Sequence, residues 1–337
     1  MSRLWTFLAL LVLLVGTADV VAAELPTSHF DKFFPDWDPM LQRILRNNCS
    51  TEYATYKTGE RPEGSEDQSA IISPLINCIF ETLTEHNKAE IAAGAVVLGL
   101  LPAILQMMGS KPPETGFLAL RRPILATLLA LGSPSATVVK TNDFISTARE
   151  SVANEDMDEI VNWLFSQKSI ILSICLGLLE YLFAIAAAAN VLYLAYQLGF
   201  HAITIISPET VYMLLMWTLF CLIAHLGSLA VFEWKTRFIR DDVMKLWEEP
   251  FPVVFQTSRS LKWPEQSISS NVFIWVLSMV TLANLIFGTM IFSSLLFFSI
   301  KDVMSIVGRY IASAVVCRGI LRLELSSFKK STIFPTR

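Results

Sequence analysis

Residues 169–198 read SIILSICLGLLEYLFAIAAAANVLYLAYQL, an apolar run with a single formal charge, Glu180. Wound as an α-helix at 1.5 Å per residue, the run is about 45 Å long. The hydrocarbon core of a bilayer is roughly 30 Å thick and asks for about 20 apolar residues. A helix on the surface of a soluble protein keeps its apolar residues on one stripe. This one is apolar on every side, and a membrane is the solvent that suits it.

Reading outward from that block, residues 211–232 form a second apolar run. The stretch between the two contains Gly199 and Pro208 and no Lys or Arg, so the pair predicts a helical hairpin. Residues 272–300 predict a third span. Residues 91–108 predict a fourth, with Ala95, Gly99 and Ala103 spaced for close approach of a neighbouring helix. The run 124–139 is shorter, only ~24 Å as a helix, and contains Gly132-Ser133-Pro134. It reads equally as a short span or a re-entrant segment. Residues 301–337 mix apolar positions with Arg309, Arg318 and Arg322, which predicts an amphipathic helix lying on the membrane surface. The expected fold class is therefore all-α: a polytopic transmembrane helical bundle with four spans plus one short or re-entrant segment. Composition agrees, with 53% apolar and 17% charged residues against about 25% charged in soluble domains.

The N-terminus carries a different signal. Arg3, the apolar run Leu4 to Val15 and the small residues Val21-Ala22-Ala23 make residues 1–23 a secretory signal peptide. Residues 24–90 then form an exported, acidic segment with short helical patterns. Cys49 and Cys78 both fall in it, and an oxidising compartment favours a bridge between them. Asn48-Cys49-Ser50 is a glycosylation sequon, with Asn48 as acceptor. From this start the re-entrant assignment of 124–139 places more Lys and Arg on the inner side than the spanning one, yet it leaves the basic tail outside.

Several stretches carry a family likeness. They are Val97-Leu98-Gly99-Leu100-Leu101-Pro102, Leu118-Ala119-Leu120-Arg121-Arg122-Pro123, Leu129-Ala130-Leu131-Gly132-Ser133-Pro134, Ala189-Asn190-Val191, Tyr196-Gln197-Leu198-Gly199, Trp217, His225, Phe287-Gly288-Thr289 and Phe292-Ser293-Ser294-Leu295. Between about Cys78 and Leu325 the chain resembles a family of fungal multi-pass integral membrane proteins of uncharacterised function. The resemblance implies a membrane architecture and no particular chemistry.

Candidates for chemistry are few. Glu180 sits mid-block, where an ionised carboxylate is costly. Counted from the hairpin turn, His225 lies at nearly the same depth, so a hydrogen-bonded Glu180–His225 pair is expected, either structural or part of a proton relay. Arg121 and Arg122, beside Pro123 at a membrane boundary, would either contact anionic lipid headgroups or act as a topology signal. The chain has no His-Glu-x-x-His, Gly-x-Ser-x-Gly or phosphate-cradling glycine motif, and neither enzyme activity nor a cofactor or metal is expected. A net charge of −4 gives no basic surface for nucleic acid. Membrane lipids, further copies of the chain or other membrane proteins are the expected partners, in the plasma membrane or an endomembrane. The alternative is an oligomeric transporter or channel using the Glu/His pair.

Overall fold

The computed structural model describes residues 29–59, 69–135, 137–140, 143–153, 169–208, 210–236, 251–255, 259–260 and 268–333, with isolated positions between 159 and 166. The signal segment 1–23 lies outside them. Eleven helices are described: α1 (Asp38–Asn47), α2 (Ser50–Thr58), α3 (Ser69–Thr82), α4 (Glu85–Met108), α5 (Pro112–Ala119), α6 (Pro123–Gly132), α7 (Phe144–Ala153), α8 (Ile170–His201), α9 (Met213–Thr236), α10 (Ile268–Ser293) and α11 (Ile300–Ser331). Among the described residues sheet is confined to two-residue pairings. The all-α expectation holds.

Five of the helices, α4, α8, α9, α10 and α11, are long and apolar enough to cross a membrane. The last of them corrects the sequence reading of 301–337 as a surface-lying tail. Along α11 the residues Tyr310, Ala314, Cys317, Leu321, Glu324, Leu325 and Phe328 recur at helical spacing, and all are buried in protein. Cys317 is among them, so it is no exposed site for a lipid anchor. Within the run 124–139, α6 has ten residues, about 15 Å of helix, which is half the hydrocarbon thickness.

The chain divides into two compact units, one made of residues 1–102, 192–217 and 287–308, the other of residues 103–191, 218–286 and 309–337. The first unit is built on aromatic and aliphatic packing. Phe30, Phe33, Trp37, Leu41, Leu45, Tyr56, Leu75 and Ile79 share a core with Ile203, Leu296 and Phe297. The Cys49–Cys78 disulfide expected from the sequence is present, with Cα atoms 5.9 Å apart. It ties the end of α1 to α3. Asn48 is exposed beside it. Ile203–Thr204 pairs antiparallel with Leu295–Leu296. Directly after that pairing Phe297 takes φ 68°, a left-handed conformation that is uncommon for a bulky residue. The turn drives its ring into the core, 6.1 Å from Phe33 and 5.4 Å from Phe80. Ser299 then caps α11, its hydroxyl accepting the Asp302 N–H at 3.1 Å.

The second unit packs rings and aliphatic side chains against small residues. Its core joins Phe117, Leu125, Leu129, Ala184, Ala187, Cys221, Ala224, Phe232, Leu321 and Phe328. Two glycines set the spacing. A Cβ on Gly116 would lie 2.2 Å from the Ser228 hydroxyl, and one on Gly132 2.7 Å from the Cys317 sulfur. Only hydrogen fits at either position, and backbones approach there as closely as in small-residue membrane interfaces.

Candidate functional site

The second unit surrounds a helical hairpin, α5 and α6, whose polar residues are held from all sides. Lys111-Pro112-Pro113 starts α5, and prolines suit a first turn because the amides there have no helical partner. Glu114 closes that start by accepting the Lys111 N–H at 3.2 Å, one half of a capping box. Every residue of α5 is buried. Leu120, Arg121 and Arg122 make the bend, and Pro123 opens α6.

The two ends of this hairpin are tied together. Ser110 N–H donates to Ser133 Oγ at 3.2 Å and Ser135 Oγ donates to the Ser110 carbonyl at 3.2 Å. Thr137 Oγ1 donates to the Gln106 carbonyl at 3.0 Å. The chain therefore returns beside Gln106 and Ser110 after α5 and α6, and the serine and threonine hydroxyls supply partners for the non-helical backbone there.

His225 on α9 grips both arms. Its Nε2 is 2.9 Å from the Ser135 carbonyl and its Nδ1 is 2.6 Å from Thr115 Oγ1. A carbonyl only accepts, so Nε2 carries the proton and Nδ1 accepts from the threonine, as neutral imidazole does. Glu114 is bound as firmly. It accepts from Arg318 of α11 through both oxygens, the Nη2–Oε1 bond being 3.1 Å, and from Ser151 of α7 at 2.6 Å.

The bend carries the most heavily charged cluster. Arg122 is fully buried, and its Nη1 donates to Glu180 of α8 and lies 3.1 Å from Glu324 Oε2 of α11. Its guanidinium also lies over the Tyr181 ring, 5.2 Å from the centroid, inside the roughly 6 Å reach of a cation–π contact. Glu324 Oε2 further accepts the Val253 N–H at 3.1 Å. Two carboxylates thus share one guanidinium, and the second oxygen of each, Oε1, is buried without a hydrogen-bond partner. Arg121 is buried as well, its guanidinium 5.1 Å from the Phe328 ring centre.

Two expectations are corrected here. Glu180 and His225 do not bond to each other: both ring nitrogens of His225 belong to Thr115 and Ser135, while Glu180 belongs to Arg122. Equal depth along two helices says nothing about whether the side chains point at each other. Arg121 and Arg122 are not placed for lipid headgroups, because both are enclosed by protein. Glu114, Arg318 and Glu324 were missed by sequence reasoning. The available signal was the row of ionisable residues inside otherwise apolar stretches, which need partners wherever they are buried.

A further polar contact is made by Asn190. Its Oδ1 accepts from Arg309 Nε at 3.0 Å and Nη2 at 2.7 Å, and its Nδ2 donates to Ser313 Oγ at 2.8 Å. This amide takes up donors of the Arg309 guanidinium, one of the charges that made α11 look like a surface helix.

Five apolar helices with an internal hairpin and buried ion pairs define a helical architecture of the multi-pass membrane class. No protein-family model, curated protein or solved structure matches the chain.

Proposed function

We propose that the chain is a non-enzymatic multi-pass membrane protein of the secretory pathway, which presents its disulfide-stapled N-terminal helices to a lipid or protein partner on the non-cytosolic side. The observation that carries this reading is the Cys49–Cys78 bridge, because such bonds persist in oxidising compartments. Counting five spans from that side supports it. The short connections 202–212 and 294–299 fall on the same side as the disulfide and hold no Lys or Arg. Among the described residues Lys111, Arg121, Arg122, Lys140, Arg149, Lys235, Arg259, Lys329 and Lys330 fall opposite, against Lys32, Arg43, Arg46, Lys57, Lys88 and Lys301 on the disulfide's side, an excess in the direction the positive-inside tendency asks. The fifth span thereby moves the basic tail to the inner side. The resemblance to the fungal membrane family agrees with this architecture.

The exported helices have their own packed core, and Arg43 and Arg46 stand exposed one helical turn apart on α1. The test is purification in native lipid followed by mass spectrometry of protein and lipid. One protein or lipid class should be enriched over bulk membrane, and the Arg43→Glu/Arg46→Glu variant should lose it. No enrichment, or enrichment indifferent to the double substitution, would defeat the reading.

A second reading, an oligomeric transporter or channel, is favoured by the Arg122–Glu180–Glu324 cluster, since ionisable groups enclosed by membrane helices tend to serve transport. Flux of protons or small ions in vesicles containing the purified protein distinguishes it.

A further inference from the structure

Arg122 offers one positive charge to two carboxyl groups, and all three side chains are at least 97% buried. With both carboxyls ionised the cluster holds one surplus negative charge away from water. A lone buried charge of that kind is the expensive arrangement, and it is relieved by neutralisation. The two Oε1 atoms, one on Glu180 and one on Glu324, are enclosed and lack any donor.

We propose that Glu180 and Glu324 together form a binding site for one exchangeable proton. One carboxyl carries an O–H bond and the other stays ionised against Arg122, so the cluster is neutral as a whole. A metal cation is a poorer occupant, because the guanidinium already touches both carboxyls and repels a second positive centre; a proton adds charge without volume. Among the described residues, Arg122 from the hairpin bend contacts both carboxyls, Tyr181 lies under its guanidinium, and the Val253 N–H donates to Glu324. His225 is not one of them, being bonded elsewhere. This goes beyond the partner reading and holds for either account of function.

Infrared spectroscopy of the full-length protein in lipid reads the site directly. At neutral pH the wild type should show the carbonyl stretch of one protonated carboxyl group, and the band should shift on transfer to D2O. Glu180→Gln and Glu324→Gln should each abolish it, because either variant leaves one carboxylate for one guanidinium. These isosteric changes keep the hydrogen-bonding shape, and the wild-type spectrum and its D2O shift need no variant at all. Absence of the band at neutral pH, its survival in either variant, or its failure to shift in D2O would overturn the proposal. Loss of the wild-type band on adding sodium would overturn it in favour of a metal ion.

Discussion

The two units are held together by opposite means. In the first, the largest buried side chains are rings, Phe30, Tyr56, Phe297 and Phe298 among them, and a covalent bond fastens the helices. Apolar packing of that kind is tolerant, since neighbouring side chains relax around a small defect. In the second, glycine and alanine bring helices close while Arg122, Glu180, Glu324, Glu114 and Arg318 pair inside. Ion pairing in a low-dielectric interior is unforgiving: removing one member strands the others. One unit should degrade gradually on mutation and the other abruptly.

The sharpest way to break that contrast is at Arg122. Arg122→Leu leaves two buried carboxyls without a cation and should cost about 3–5 kcal/mol, enough to lose most folded protein in a detergent melt. The triple change Arg122→Leu, Glu180→Leu and Glu324→Leu should recover much of that loss, because nothing charged remains to be stranded. A triple variant no more stable than the single one would mean that shape, and not charge, holds the bend.

The next largest effect belongs to the first unit. Replacing Cys49 and Cys78 by serine reopens a sequence separation of 29 residues, for which chain entropy gives about 3–4 kcal/mol. Limited proteolysis should then cut within α1 to α3, while fragments from α8 to α11 keep their wild-type resistance. Equal loss of protection everywhere would erase the distinction between the units.

Smallest, and directed at the glycine spacing, is a paired test. Gly116→Ala should destabilise by about 1–3 kcal/mol, because the added carbon overlaps Ser228. Gly319→Ala meets nothing within 4 Å and should gain up to about 1 kcal/mol from helix propensity. Thermal denaturation of both variants checks the sign of each change, and matching signs would undo the close-packing account.

Hydropathy made four spans legible, and the position of Cys49 and Cys78 outside every apolar run made their bridge legible, because length and placement are properties of local sequence. The fifth span was obscured by its own charges. Arg309, Arg318 and Glu324 interrupt the apolar run, and their polar partners Asn190, Glu114 and Arg122 lie more than a hundred residues away. No periodicity encodes such a pairing. The site was read halfway for the same reason: Glu180 stood out by its cost, but its partner came from a hairpin bend that looked like a boundary, and rotation about a helix axis cannot be counted from residue numbers.

Glu114 and Arg318 are 204 residues apart, and that distance is also an interval of time. At about 5–20 residues per second, Glu114 is made some 10–40 s before the arginine that pairs with it, whereas Arg122 has Glu180 only 58 residues on and waits as long only for its second carboxyl, Glu324. The order of synthesis therefore leaves the polar groups of α5 and α6 without their full set of partners until the last helix has been made.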